Sequence, residues 1–359
     1  MFGRLKDWRR VATRYDRCPK VFLSAIALAA VVIYWLWILT LGRLNQPAGA
    51  TFDLVSMRED LLRQMKTHPE LGRTDVDFSR LLRSWFNPGF LVLKQVDWMA
   101  PASLLDKIVA YEAVHEIDDL DDLRRRLSPP DRRCFAFFHP AMPDEPLIFV
   151  EVALSDHIPG SVDDVLSEGR EPLLPEQATA AVFYSISNCQ QGLQGISFGN
   201  LLIKQAAKQL SLELPQLTHF VTLSPIPRLN SWLAERLDDY DIGHIASAML
   251  DGSASPKDIR AIAARYLLEA KRQTGDPVDP VARFHLGNGA EIFDVHAEAD
   301  SSPNGRAQSS GAMVNYLYDL KQVERNHEGF ALRRQVAASH SVRSLAKSQF
   351  KTKPSKLAS

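Results

Sequence analysis

AAVFYSISNCQQGLQGISFGNLLI, residues 180–203, is the stretch that decides how this chain folds. Ala180–Ser187 is a short run rich in apolar and aromatic residues, which predicts a strand. A Gly- and Gln-rich turn follows, and a helix is expected from about Asn200 to Leu214, with Leu202, Ala206 and Leu210 one turn apart. Thr218–Ser224 (THFVTLS) then predicts a second strand. Strand, helix, strand in this order is a βαβ-type unit. The turn between the first strand and the helix also has chemical meaning. The first N–H groups of a helix have no intrahelical acceptor and suit a pyrophosphate, and glycines let backbone approach it closely.

Outward from this unit, Cys134–His139 and Leu147–Leu154 predict two more strands, joined by a segment punctuated by Pro140, Pro143 and Pro146. Further upstream the period is helical. Leu54, Met57, Leu61, Leu62 and Met65 recur at three- and four-residue steps, as do Phe78, Leu81, Leu82 and Trp85. Ser103 is expected to cap another helix, and Asp118–Leu127 places acids before bases, as helix dipole and ion pairing favour. Downstream, helices are predicted near Leu229–Leu237 and over Lys257–Arg272, the latter with Ser255 as N-cap and Pro256 in its first turn. A last strand is expected near Ala290–His296. Residues after about Ser344 read as unstructured. The fold class is therefore α+β: a helical segment over 51–130, a mixed α/β domain over 131–345, and a disordered basic tail over 346–359.

The 359 residues are 45% apolar and 24% charged with a net charge of −1, so the whole chain has no nucleic-acid-like basic bias. The three cysteines, Cys18, Cys134 and Cys189, show neither a disulfide framework nor zinc-ligand spacing. No metal is expected, and a reducing, cytoplasmic compartment fits best.

The N-terminus has a different character. Val21–Leu41 runs 21 residues without a charge, long enough to span a bilayer, behind a basic stretch that would stay on the cytoplasmic side. Phe2–Leu36 resembles the C-terminal end of insertion-sequence transposases of the DDE class. That resemblance implies a mobile-element remnant over residues 1–46, without the catalytic Glu and without transposase activity. A membrane association through residues 21–41 is the competing reading.

Gln194-Gly195-Ile196-Ser197-Phe198-Gly199 resembles the CoA-cradling loop of the GNAT acetyltransferase superfamily, with Ser197 where glycine is usual. YSISNCQQGLQGISFGNLLIKQ (184–205), LSPIPRL (223–229), VARFHLGNGAEIF (281–293) and MVNYLYDL (313–320) stand in the order and spacing of malonyl-CoA decarboxylases. FAFFHPAMPDEPLIFVEVAL (135–154) and HPELGRTDVDFSRLLRSWFNPGFLVL (68–93) look like the same family. The resemblance covers about 51–345 and implies a GNAT-like catalytic domain behind a helical domain whose first part is replaced by residues 1–46. It implies that malonyl-CoA is converted to acetyl-CoA and CO2 without metal or cofactor. It places the catalytic Ser on Ser224, the catalytic His on His285 and a site Tyr on Tyr318, with Tyr316 close by. A homo-oligomer is expected if the helical domain packs. Two alternatives stand beside it: an acyl-CoA-dependent acetyltransferase on the same scaffold, and an inactive or membrane-tethered fusion product. No G-x-S-x-G elbow occurs, which disfavours a serine hydrolase.

Overall fold

The computed structural model describes residues 49–196 and 199–347. Residues 1–46, with the apolar run 21–41, lie outside the described residues, as does nearly all of the tail. Among the described residues no helix is long and apolar enough to cross a membrane.

The chain divides into two compact units. The first holds α1 (Ala50–Gln64), α2 (Gly72–Trp85), and two short insertions, His139–Pro143 and Gln190–Ile196. Of the residues their helical spacing singles out, Leu54 on α1 and Leu81 and Leu82 on α2 are buried, Leu61, Leu62, Met65, Phe78 and Trp85 are half-buried, and Met57 is exposed.

The second unit is built on β1 (Val92–Val96), α3 (Ala102–Tyr111), α4 (Leu120–Leu127), β2 (Arg132–Phe138), β3 (Ile148–Ser155), α5 (Val162–Leu166) and β4 (Ala180–Asn188). After them come α6 (Gly199–Glu213), β5 (His219–Pro225), α7 (Leu229–Ala234), α8 (Gly243–Leu250), α9 (Pro256–Glu269) and α10 (Pro280–Gly287). It ends with β6 (Glu291–His296), α11 (Pro303–Ser309), β7 (Met313–Leu317), α12 (Val323–Arg333) and α13 (His340–Lys347).

The strands form one seven-stranded sheet of order β1-β2-β3-β4-β5-β7-β6. Among the described residues β4 and β5 are the only named strands that pair in parallel, with α6 as their crossover, and the other strand pairings are antiparallel. β3 and β4 are central and buried on both faces, which is why they read as apolar runs and not as alternating patterns.

Several helix ends follow their sequence signals. Asp119 caps α4 by accepting from Asp122 N, and Ser255 caps α9 by accepting from Asp258 N with Pro256 in the first turn. Four expectations need correction. Ser103 lies inside α3, which starts at Ala102 behind Pro101 with no side-chain cap. β6 is not the last strand, because β7 follows it, and β1 extends the sheet before Cys134. The C-terminal region stays helical through Lys347, where the buried Val342 and Ala346 hold α13.

Candidate active site

β4 and β5 run side by side only from Ala180–Phe183 against His219–Thr222. Past that point each strand keeps its outer neighbour and loses the inner one. β4 pairs with β3 as far as Asn188, and β5 pairs with β7 as far as Pro225. The two strands therefore part, and the inner edge of β4 beyond Phe183 has no strand partner among the described residues. Such an edge offers backbone groups to an extended ligand. A cavity of about 250 Å³ occupies the opening, bounded by Tyr184 and Ile186 of β4, Ser224 and Pro225 of β5, and Phe284 and His285 of α10.

Ser224 and His285 reach this cleft from different elements. Ser224 stands at the end of β5, 5% exposed, followed by Pro225, which has no N–H for a ladder bond. His285 lies in the last turn of α10, a short helix whose start is fixed by Asp279, whose Oδ1 accepts from Ala282 N at 2.9 Å, and by Pro280 at its first position. The turn out of α10 requires Gly289: its φ is +86°, and a Cβ there would fall 2.0 Å from the Val323 carbonyl oxygen.

His285 is 2% exposed. Its Nε2 lies 3.2 Å from Ser224 Oγ and its Nδ1 lies 2.8 Å from the Tyr318 hydroxyl. The Tyr316 ring stacks on the imidazole at 4.4 Å and 21°, and Phe284 meets it edge-on at 5.0 Å. Period-two alternation at the end of β7 puts Tyr316 and Tyr318 on one side of the chain, so both reach His285, one by its ring face and the other by its hydroxyl. Burial pushes the imidazole down to about 3 and raises the Tyr318 phenol above its ordinary value. At neutral pH the ring is uncharged and Tyr318 keeps its proton.

The hydrogen-bond directions follow. Ser224 Oγ–H donates to Thr222 Oγ1 at 2.9 Å, which leaves the Ser224 oxygen to accept from His285 Nε2–H. Nδ1, without a proton, accepts from Tyr318 O–H. In this tautomer His285 cannot take the Ser224 proton. The arrangement is a string of donors at a mostly apolar cleft rather than a charged general-base pair.

Three features had no sequence signal. Glu112, after α3, accepts from Ser185 Oγ at 2.7 Å, from Ser187 Oγ at 3.2 Å and from the Val114 and His115 amides at 2.8 Å each, which ties this loop to β4. Behind it Glu151 is fully buried on β3 and burial pushes its carboxyl up to about 8, although Arg126 lies 3.5 Å away. Thr222, the third, sits fully buried beneath Ser224.

The loop expected to cradle a pyrophosphate is only partly described. Gln194, Gly195 and Ile196 belong to the first unit, Ser197 and Phe198 lie outside the described residues, and Gly199 begins α6. Gly195 takes φ +78°, the left-handed value expected of a loop glycine. The amides of Gln194 and Ile196 are spent inside the turn on Gln191 O and Leu193 O, so those two do not point at a ligand. Within the same unit Arg58, 3% exposed, donates to Gly192 O at 2.6 Å and Gln194 O at 2.9 Å while pairing with Asp75 at 2.8 Å. Among the described residues no group of three His, Cys, Asp or Glu side chains is placed to hold a metal ion.

Residues 89–356 match the sequence profile of the malonyl-CoA decarboxylase C-terminal domain, and residues 35–86 match that of its N-terminal domain. The second match starts inside residues 1–46, so the family-like region begins earlier than residue 51. The chain is 35% identical over 349 residues to the mitochondrial malonyl-CoA decarboxylase of Anser anser anser, covering 86% of this chain and 68% of that protein. It is 33% identical over 337 residues to the mitochondrial malonyl-CoA decarboxylase of Mus musculus, covering 83% and 68%. Among solved structures, that of malonyl-CoA decarboxylase from Rhodopseudomonas palustris superposes with a TM-score of 0.80 at 49% identity, over 86% of this chain and 79% of that one. The Agrobacterium vitis malonyl-CoA decarboxylase gives a TM-score of 0.83 at 45% identity, over 96% and 86%.

Proposed function

The chain belongs to the malonyl-CoA decarboxylase family, carboxy-lyases, and on that premise we propose that Ser224, His285 and Tyr318 convert malonyl-CoA to acetyl-CoA and CO2 in the cleft between β4 and β5. Loss of CO2 from a malonyl thioester moves an electron pair into an enolate, and negative charge grows on the thioester oxygen. C2 of the enolate then takes one proton, from His285 Nε2–H with solvent restoring it or from water directly, to give acetyl-CoA. The thioester itself delocalises this charge, so we infer that neither metal nor organic cofactor takes part. A neutral imidazole with its proton on Nε2 can turn that donor from Ser224 Oγ to the oxygen that becomes charged, and one such donor typically contributes about 2.7–4 kcal/mol to the transition state. Ser224 orients the malonyl carboxylate beside it. Tyr318 fixes the imidazole tautomer through Nδ1. The apolar walls of the cleft strengthen these contacts and favour loss of charge from a bound carboxylate.

The observation that supports this reading best is the buried Tyr318–His285–Ser224 string at the point where the central strands part. The direct test is acetyl-CoA formation from malonyl-CoA by the purified chain without an acceptor. Ser224→Ala and His285→Asn should each lower kcat by about 100-fold or more. Near wild-type turnover in either variant refutes its assigned role.

We propose that the loop Gln194–Gly199 takes the CoA pyrophosphate, and what supports this is its resemblance to the CoA-cradling loop of the GNAT superfamily. For residues 1–34, upstream of the family match, we retain the transposase-like origin as a proposal. Membrane attachment through Val21–Leu41, a cytoplasmic setting and self-association are likewise proposals. Fractionation and sizing of the full chain test them, and recovery as a soluble monomer removes both attachment and self-association.

A further inference from the structure

A buried Ser–His pair facing a thioester is also the machinery of acyl transfer. In that reaction the serine hydroxyl gives its proton to the imidazole and its oxygen attacks the carbonyl carbon. This chain has the pair but points it the other way, and the residue responsible is Thr222. It precedes Ser224 by two positions on β5, so strand alternation sets both side chains on one face. Thr222 is fully buried, and its Oγ1 accepts the Ser224 hydroxyl at 2.9 Å and the Tyr316 amide at 3.3 Å. The Tyr316 amide comes from β7, whose register against β5 pairs Thr222 with Tyr316. The acceptor is therefore held by the sheet itself.

Resting on the assignment of Ser224 and His285 above, we propose that Thr222 is a positioning residue that holds the Ser224 proton away from His285 until the malonyl carboxylate accepts it, so that Ser224 accepts from His285 in the free site and is denied the role of nucleophile. Thr222 in this way keeps a thioester-binding Ser–His site from hydrolysing the thioester it is meant to decarboxylate.

Without the Thr222 acceptor, the Ser224 proton turns to His285 Nε2 and the imidazole proton moves to Nδ1, facing the Tyr318 hydroxyl oxygen. Ser224 Oγ then attacks the thioester carbonyl as its proton passes to Nε2. The C–S bond breaks, and CoA leaves as a thiol with that proton. Water attacks the resulting Ser224 ester, a proton returns to Oγ, and malonate is released. The net reaction is malonyl-CoA plus water giving malonate plus CoA, with no oxidant or reductant.

The two reactions give different products, because only hydrolysis releases a free thiol. Thr222→Val keeps the shape of the side chain and removes the acceptor, whereas Thr222→Ser keeps the hydroxyl. In Thr222→Val the kcat for acetyl-CoA formation should fall by about tenfold or more, the KM should stay within about twofold, and thiol release should rise by at least about tenfold. That thiol release should vanish in Thr222→Val with Ser224→Ala, and Thr222→Ser should restore the wild-type product. A folded Thr222→Val protein that decarboxylates like wild type, or that loses activity with no Ser224-dependent thiol release, overturns the proposal.

The wild-type chain supplies a test independent of that variant folding. With 15N-labelled histidine, the His285 ring, identified by loss of its signals in His285→Asn, should carry its proton on Nε2. A proton on Nδ1 overturns the proposal. Failure of the underlying assignment has a separate signature, namely wild-type decarboxylation in Ser224→Ala alone.

Discussion

Replacing Arg58 by Met should weaken binding of the CoA thioester. The Arg58 guanidinium is 3% exposed and makes two charge-assisted bonds to the carbonyls of Gly192 and Gln194, with Asp75 as its 20%-exposed counter-ion. Hydrogen bonds to charged groups are worth about 1.5–3 kcal/mol each. Gly192 is buried and its carbonyl would go unpaired, whereas Gln194 is exposed and water would replace most of its lost bond. The sum is therefore about 3 kcal/mol of loop order. If half of that is felt in ligand binding, KM for malonyl-CoA rises by about tenfold, since 1.4 kcal/mol is a factor of ten. The kcat should change little, because the bonds Arg58 makes go to Asp75 and to the Gly192 and Gln194 carbonyls. Arg58→Lys should fall between, since an ammonium keeps the charge but not the planar fork that serves several acceptors at once. The assay is steady-state acetyl-CoA formation over a range of malonyl-CoA, with a urea melt to show that the variant is folded. A folded Arg58→Met protein with KM within twofold of wild type would refute the idea that this arginine orders the CoA loop.

Two further outcomes are expected. The His285 imidazole is pushed down to about 3 by burial, so the folded state stays neutral where the unfolded chain, near 6.5, gains a proton. The stability this group contributes is present above the unfolded value and is lost as pH falls from about 6.5 toward 3; by pH 5 the loss is about 2 kcal/mol. Urea melts at pH 7 and pH 5 should show that loss in wild type and a smaller one in His285→Asn, and identical slopes would count against a neutral buried imidazole. Prolonged dialysis against a chelator, followed by assay in metal-free buffer, should leave the decarboxylation rate within about twofold, since the thioester carries the developing charge between itself and fixed donors. Loss of activity that returns on adding one divalent metal would refute the cofactor-free reading.

The sequence by itself determined the parts of this protein whose signals are local. The βαβ unit around Ala180–Ser224 was legible because strand runs, turn glycines and helical spacing all lie within a few residues of what they specify. Ser255 and Pro256 marked the start of α9 for the same reason, and the blocks around Ser224, His285 and Tyr318 carried the family resemblance position by position. β1 and β7 were not legible. Val92–Val96 is short, mostly exposed and polar at two of five positions, and it is a strand because β2 offers it a partner. Met313–Leu317 is a strand because it lies between β5 and β6. Only tertiary structure brings His285 to Ser224 across 61 residues and Arg58 to Gly192 across 134. It also decides what those contacts mean. A Ser and a His in sequence are compatible with attack on a thioester or with holding one still. Their choice depends on burial, which strips the charge from the imidazole, and on Thr222, which takes the serine proton. Both are properties of the packed sheet, and no local pattern of residues encodes them.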